Sequence, residues 1–169
     1  MCCTRTLFLG FVGGSHNEES GNGANYVCLP RDPEFRDDVT RGFSSVASRM
    51  TSVEYEPDNA FFEDKSLDNF DVTCAVCEAP RSAVLMIPAR RTCPSGWTFE
   101  YEGLLMAENY DRSSRSEYVC VALNAQAIPG SGRNTNPGGW FNVEVSCADG
   151  LPCSTYATGL QLSCVVCSK

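Results

Sequence analysis

The chain has 169 residues, eleven cysteines and a formal net charge of −8. An acidic chain repels nucleic-acid phosphates and anionic membrane surfaces, so we expect neither as a partner. No apolar stretch approaches the roughly 20 residues that span a bilayer, and we expect no membrane insertion. The length suffices for one compact body, or for two small bodies that share an interface.

The cysteine content predicts an oxidising compartment. Eleven cysteines in 169 residues is a density typical of secreted proteins, because cytosolic thiols are kept reduced and gain little structurally from such numbers. We therefore expect a secreted, extracellular protein with several disulfide bonds.

Two cysteine motifs occur twice, which predicts a tandem duplication. Residues 26–29 (YVCL) recur as residues 118–121 (YVCV), and residues 74–77 (CAVC) recur as residues 164–167 (CVVC). The first pair is offset by 92 positions and the second by 90. A repeat of this length is a subdomain rather than a solenoid unit. We expect two similar subdomains, residues 1–80 and 81–169, packed as one globular unit.

Periodicity favours strands over helices. Residues 140–145 and 160–166 largely alternate between apolar and polar side chains, and residues 83–87 form a short apolar run before Pro88. Two Gly-rich polar segments, residues 13–25 and 129–139, are typical of turns or binding loops. The predicted fold class is mainly β, disulfide-rich, with a tandem pseudo-repeat.

The cysteine order permits a nested pairing, although sequence alone cannot prove connectivity. In this arrangement the second half contains Cys93–Cys167, Cys120–Cys164 and Cys147–Cys153, and the first half contains Cys28–Cys74 and a bridge from Cys77 to Cys2 or Cys3. One thiol of Cys2 and Cys3 is then left over. In a secreted protein a spare thiol often joins two subunits, so we predict a disulfide-linked homodimer.

Two other uses of the cysteines stay open at this stage. Two Cys-x-x-Cys pairs could supply four thiolates to a zinc ion, although such sites belong mainly to reducing compartments. A thioredoxin-like redox pair is the other use, but no βαβ pattern surrounds either motif.

Several motifs resemble a known family in order and spacing. Residues 74–80 (CAVCEAP), 93–97 (CPSGW) and 103–106 (GLLM) resemble the junction between the two halves of the C-terminal noncollagenous domain of type IV collagen. The nested bridges are also that family's pattern. Residues 24–30 (ANYVCLP), 135–136 (TN), 151–153 (LPC) and 164–169 (CVVCSK) resemble the C-terminal domains of invertebrate short-chain, spongin-like collagens.

The resemblance implies a function as well as a fold. The chain has no Gly-X-Y tract, so it cannot nucleate a triple helix in cis. A free-standing domain of this size resembles the galactose-binding lectins of sea anemones, which are dimers that hold the sugar through calcium. That resemblance implies a calcium-dependent lectin for galactose-terminated glycans. The alternative is an extracellular matrix or assembly module without sugar binding.

Catalysis is not expected from this composition. The only histidine is His16, in the first Gly-rich segment, and no second imidazole can activate a serine or cysteine. Paired carboxylates could serve a glycosidase, but acidic residues are numerous enough to pair by chance. We predict that the protein is not an enzyme.

An acidic segment is the first candidate site. Residues 54–71 contain seven acidic residues, and oxygen ligands of this kind suit calcium, which an extracellular module needs to bind only with modest affinity. The candidate calcium ligands are Glu56, Asp58, Asn59, Asp64 and Asp68. The alternative is a solvated acidic surface that carries no ion.

A polar cluster after the GLLM motif is the second candidate site. Carboxylate, amide and guanidinium groups suit hydrogen bonds to sugar hydroxyls, and a tryptophan can cover the apolar face of a pyranose. The candidate sugar ligands are Glu108, Asn109, Asp111, Arg112 and Trp140. The alternatives are a polar turn for the cluster and a core position for Trp140.

Overall fold

The computed structural model describes residues 5–36, 42, 44–57, 62, 67–135, 137–147 and 150–169. Within these residues the chain forms ten strands and no helix, as the mainly β prediction requires, and therefore contains no helix that could cross a membrane. The strands are β1 (Arg5–Gly14), β2 (Val27–Pro30), β3 (Thr51–Ser52), β4 (Glu54–Tyr55), β5 (Thr73–Glu78), β6 (Val84–Pro88), β7 (Thr98–Ala107), β8 (Val119–Ala122), β9 (Gly139–Asn142) and β10 (Ser163–Ser168).

The strands form two sheets. In the first sheet β1 is central and pairs with β2, β3 and β5. The second sheet has the order β4-β9-β7-β10-β6, and β8 also pairs with β7. Strand β4 comes from the first half of the chain but pairs in parallel with β9 from the second half. The two halves therefore share a sheet as well as a core.

The alternating segments that predicted strands are confirmed with shifted bounds. Strands β6, β9 and β10 lie within or beside the apolar runs read from the sequence. Gly13 and Gly14, which we expected in a loop, end β1 instead. Glycine fits there because a Cβ at Gly13 would meet the side chain of Met50 at 2.6 Å, and a Cβ at Gly14 would meet those of Tyr26 and Val53 at 2.9 Å.

Four disulfide bonds connect the described cysteines. They are the predicted pairs Cys28–Cys74, Cys93–Cys167, Cys120–Cys164 and Cys147–Cys153. Cys77 is also disulfide-bonded, and its predicted partners Cys2 and Cys3 lie outside the described residues. In the chain-entropy treatment each of the three long bridges adds about 4 kcal/mol of stability. Several disulfides in so small a domain are typical of extracellular proteins.

The bridges Cys28–Cys74 and Cys120–Cys164 each join the two strands that flank a central strand. Cys28 lies in β2 and Cys74 in β5, on either side of β1, yet their Cα atoms are only 5.8 Å apart. Alternate strands of a flat sheet are about 9.5 Å apart. The flanking strands therefore bend toward each other across Gly10, where an added Cβ would collide with the Leu29 carbonyl group.

Strand β7 repeats this arrangement. The bridge Cys120–Cys164 joins β8 to β10 with a Cα–Cα distance of 5.7 Å, and a Cβ at Gly103 would collide with the carbonyl group of Val121. Gly10 pairs with Cys74, and Gly103 pairs with Cys164. Each central strand thus needs a glycine directly beneath its bridge.

One hydrophobic core lies between the sheets. The buried members from the first half are Val12, Val53, Tyr55, Phe62, Leu67 and Val72, and those from the second half are Leu104, Met106, Val121 and Trp140. Tyr55 is 2% exposed and lies with its ring centroid 5.9 Å from that of Trp140. The fold is therefore stabilised across the two halves, and not within each half alone.

Replacing either bridging glycine with alanine should destabilise the fold. For Gly10→Ala and Gly103→Ala we expect a loss of about 3 kcal/mol in the free energy of unfolding, because the methyl group displaces backbone that a disulfide holds in place. Urea unfolding with the bridges intact measures this loss. Gly21→Ala is the matched control, since its Cβ meets nothing within 4 Å. Equal unfolding midpoints for all three variants would contradict this account.

Candidate functional site

The two candidate clusters converge on strand β9. Glu108 follows the end of β7, and its carboxylate accepts hydrogen bonds from the backbone amides of Gly139 (3.0 Å) and Asn109 (2.9 Å). The backbone amide of Glu56, two residues from β4, donates to the carbonyl oxygen of Trp140 at 3.1 Å. Glu56 and Glu108, which are 52 positions apart in the chain, are thus both bonded to one four-residue strand.

The acidic segment is anchored to this strand through Glu54. Its side chain is 1% exposed, and its carboxylate accepts from both the backbone amide (3.1 Å) and the hydroxyl group (2.5 Å) of Thr135. The backbone amide of Glu54 donates to the Gly138 carbonyl at 2.9 Å. These bonds hold Thr135 and Gly138 against β4, next to the start of β9.

Glu56 carries the most perturbed carboxyl group of the cluster. Desolvation by burial, together with the negative charges of Asp68, Glu54 and Glu108, raises the pKa of Glu56 to about 7, while the positive charge of Arg112 opposes this shift. Its Oε1 atom is buried without a hydrogen-bond partner. Four carboxyl groups therefore share one electrostatic environment at the edge of β4.

The described residues supply only part of the predicted calcium site. Glu56 and Asp68 influence each other electrostatically, and the orphaned Oε1 of Glu56 is an atom that a cation could satisfy. Within the described ranges, however, no group of three His, Cys, Asp or Glu side chains could hold a metal ion. The other predicted ligands, Asp58, Asn59 and Asp64, lie outside the described residues. The two predicted ligands that the structure describes do not by themselves form a calcium site.

A groove of about 940 Å³ runs beside the second cluster. One wall consists of residues 107–110, 112–116 and 118, which follow β7, and the other consists of residues 141–146 with Thr158 and Gly159. Two tyrosines of the first wall are exposed: Tyr110 is 98% accessible and Tyr118 is 61% accessible. The groove therefore combines exposed aromatic rings with polar side chains.

Asn17 from the first half holds the first wall in place. Its carbonyl oxygen accepts from the backbone amides of Ser113 (3.1 Å) and Ser114 (3.2 Å), and its own amide donates to the Pro137 carbonyl at 2.7 Å. Asn17 is 5% exposed and Ser114 is 6% exposed. This wall is a fixed turn, because buried backbone bonds to the other half constrain it.

The structure brings together some of the predicted sugar ligands and separates others. Glu108, Asn109 and Arg112 line the groove. Asp111 is exposed but is not part of the groove lining, and its backbone amide donates to the Asn109 side chain at 3.2 Å. The predicted role of Trp140 as an exposed platform is wrong: it is 8% exposed and packs edge-to-face against Tyr26 and Tyr55 in the core.

Three further residues line the groove that the sequence did not single out for binding: Arg115, Tyr118 and Asn142. Tyr118 was interpreted only as part of a repeated motif, and the signal that could have found it is its position directly after a polar run. Asn142 lines the groove from β9, and both of its side-chain amide atoms are buried without a hydrogen-bond partner among the described residues.

A second feature is an apolar surface on the outer side of the first sheet. Leu9, Phe11 and Leu29 are 50%, 38% and 40% exposed, and Met50 beside them is 53% exposed. Phe11, Leu29 and Met50 border a shallow cavity of about 450 Å³. We call these four side chains the outer apolar face.

Comparison with known proteins gives no assignment. No protein-family model, curated protein or solved structure matches this chain.

Replacing Glu56 with glutamine should remove a pH-dependent loss of folding stability. Because burial disfavours the charged form in the folded protein, the free energy of unfolding should fall as pH rises from about 4.5 to about 7. At pH 8 we expect Glu56→Gln to be more stable than the unaltered protein by about 1 kcal/mol, a value reduced for the solvent exposure of the side chain.

Chemical unfolding at pH 4, 6 and 8 measures this difference. Glu34→Gln is the control, because Glu34 is exposed on a loop and should leave the pH profile as it was. A profile of Glu56→Gln that runs parallel to that of the unaltered protein would contradict the assigned burial.

Proposed function

We propose that the protein is a secreted lectin and that the groove beside β7 binds galactose-terminated glycans. The observation that supports this best is the groove itself, which exposes two tyrosine rings beside fixed polar groups. A pyranose has one apolar face and a ring of hydroxyl groups, and such a surface matches both. Four disulfide bonds suit an extracellular protein.

The residues have distinct roles in this proposal. Tyr110 or Tyr118 covers the apolar face of the sugar, while the side chain of Asn109 exchanges hydrogen bonds with its hydroxyl groups. Glu108 contributes indirectly, because its carboxylate already accepts two backbone amides and thereby holds the loop against β9. A site for one monosaccharide of this kind binds in the millimolar to micromolar range, about −4 to −8 kcal/mol.

Calcium belongs to the proposal as an ion held by the acidic segment. Glu56 and Asp68 would be two of its ligands, and the sequence adds Asp58, Asn59 and Asp64 as the others. When bound, calcium would supply coordination sites for adjacent sugar hydroxyls. Arg112 lies near enough to Glu56 to affect its pKa, which connects the acidic segment to the groove wall.

A homodimer would strengthen binding to a cell surface. Two monosaccharide sites on one rigid body raise avidity without any new contact. The spare thiol of Cys2 or Cys3 is the proposed link between the two chains.

Removing an exposed groove tyrosine should weaken sugar binding without affecting the fold. For Tyr110→Ala we expect an affinity for lactose lower by about tenfold, because the apolar face of the sugar loses its cover. Isothermal titration calorimetry measures the affinity. Phe35→Ala is the matched control, since Phe35 is 80% exposed and lies outside the groove. Equal affinities of both variants for lactose would remove Tyr110 from the site.

Chelation tests the calcium part separately. We expect red-cell agglutination that galactose inhibits and a chelator abolishes, and we expect Asp58→Asn and Asp64→Asn to weaken lactose binding while thermal stability is kept. Lactose binding that survives chelation would leave the groove as a metal-independent site. No binding to any glycan in millimolar calcium would overturn the lectin proposal.

A second candidate function is an extracellular matrix or assembly module, and matched geometry in the two halves favours it. We infer that the two halves are copies of one unit. The backbone bond from Val12 to Val72 (3.1 Å) has its counterpart from Leu105 to Leu162 (2.9 Å). The isolated bridge Glu54–Asp71 corresponds to Glu144–Gln161, 90 positions later. Both central strands also have a register shift at the same place.

The match breaks down at one edge. In the first half β9 pairs with Glu54 and Tyr55, whereas in the second half the groove lies beside the corresponding residues, Glu144 and Val145. A strand from a second copy could pair there, and the outer apolar face would be covered in the same assembly.

Light scattering distinguishes the two candidate functions. For an assembly module, Leu9→Asp should reduce the molecular mass of the particle in solution to that of a smaller species. Val46→Asp, at a site 92% exposed, should leave that mass unchanged.

A further inference from the structure

The groove holds two arginines that form no ion pair with any residue the structure describes. These are Arg112 and Arg115, both exposed and both part of the first wall. By contrast, Arg91 bonds to both carboxylate oxygens of Glu102 at 2.9 and 3.1 Å, and Arg81 bonds to Glu100 at 3.1 Å. The chain has a net charge of −8, so two neighbouring guanidinium groups in one groove depart locally from its acidic character.

The backbone presents these two arginines from a fixed turn. They flank Ser113 and Ser114, whose amides both donate to the Asn17 carbonyl. The backbone amide of Arg112 also donates to the Asn109 carbonyl at 3.2 Å. Because the backbone is already fixed, binding does not have to order this wall of the groove.

Two carboxylates line the groove, those of Glu108 and Glu144, and the charge of Glu56 beside the groove also interacts with Arg112. Glu108 directs its two oxygens to the amides of Asn109 and Gly139. Glu144 is exposed and belongs to the other wall. The wall with the tyrosines is therefore the more positive side of the groove at short range, while charges farther than about 8 Å are screened at physiological salt.

From these observations we infer that the groove is selective for saccharides that carry an acidic group, a sulfate or a carboxylate, next to the sugar ring. This inference rests on the proposed function and names its ligand class. Guanidinium groups bind sulfate and carboxylate oxygens through paired, charge-assisted hydrogen bonds. The ring would lie on Tyr110 or Tyr118, and the acidic group would lie between Arg112 and Arg115.

Binding of lactose and of lactose sulfated on its galactose tests the inference. The sulfated sugar should bind about tenfold more tightly at 50 mM salt, and this advantage should shrink at 300 mM salt while lactose affinity stays constant. The double variant Arg112→Gln with Arg115→Gln should bind both sugars with the affinity of lactose. Arg133→Gln is the control, because Arg133 is exposed outside the groove and should keep the preference.

A variant that removes a negative charge, instead of a positive one, completes the test. Glu144→Gln removes a negative charge from the facing wall and should tighten the sulfated sugar about two- to threefold, with no change for lactose. Equal affinities for both sugars in the unaltered protein would overturn this inference but leave the lectin proposal intact. Failure of both sugars to bind would overturn the two together.

Discussion

Each sheet is organised around a disulfide bond that crosses its central strand. Cys28–Cys74 crosses β1 at Gly10, and Cys120–Cys164 crosses β7 at Gly103, drawing the flanking strands to within 5.8 and 5.7 Å between Cα atoms. A side chain at either glycine would collide with a backbone carbonyl group. Flanking strands that lie so close together curve the sheet. One face of the curved sheet packs into the common core. The groove walls begin where β7 leaves this curved region.

Exchange of a strand between the halves creates the candidate site. β4 pairs in parallel with β9, so Glu54 and Glu56 come to lie near Glu108. The contact places these three carboxyl groups in one environment, where burial raises the pKa of Glu56. The pairing thus joins polar groups from the two halves of the chain at one strand. A function that needs both clusters therefore needs the two halves together.

The sequence allowed a good part of this fold to be predicted, because cysteines and alternation are local or countable signals. The nested bridges and the strands at the chain's end follow from such signals. The pairing of β4 with β9 could not be predicted, since two-residue strands have no periodicity and their partners are 85 positions apart. Trp140 shows the same limit: it follows a polar Gly-rich loop, yet its ring closes the core against Tyr55. Only the contacts in the folded structure show whether a tryptophan ring is exposed to a ligand or packed in the core.

The difference between the halves decides what the groove can bind. β9 pairs with β4 in the first half, and under the proposed duplication Glu144 and Val145, which line the groove, are the matching residues of the second half. A backbone edge favours another strand, whereas exposed tyrosines and unpaired guanidinium groups favour a saccharide. Both occupants would use the same walls, so they compete. If the two proposals hold together, soluble sugar should dissociate any assembly formed through this edge, since one groove cannot hold a strand and a glycan at once.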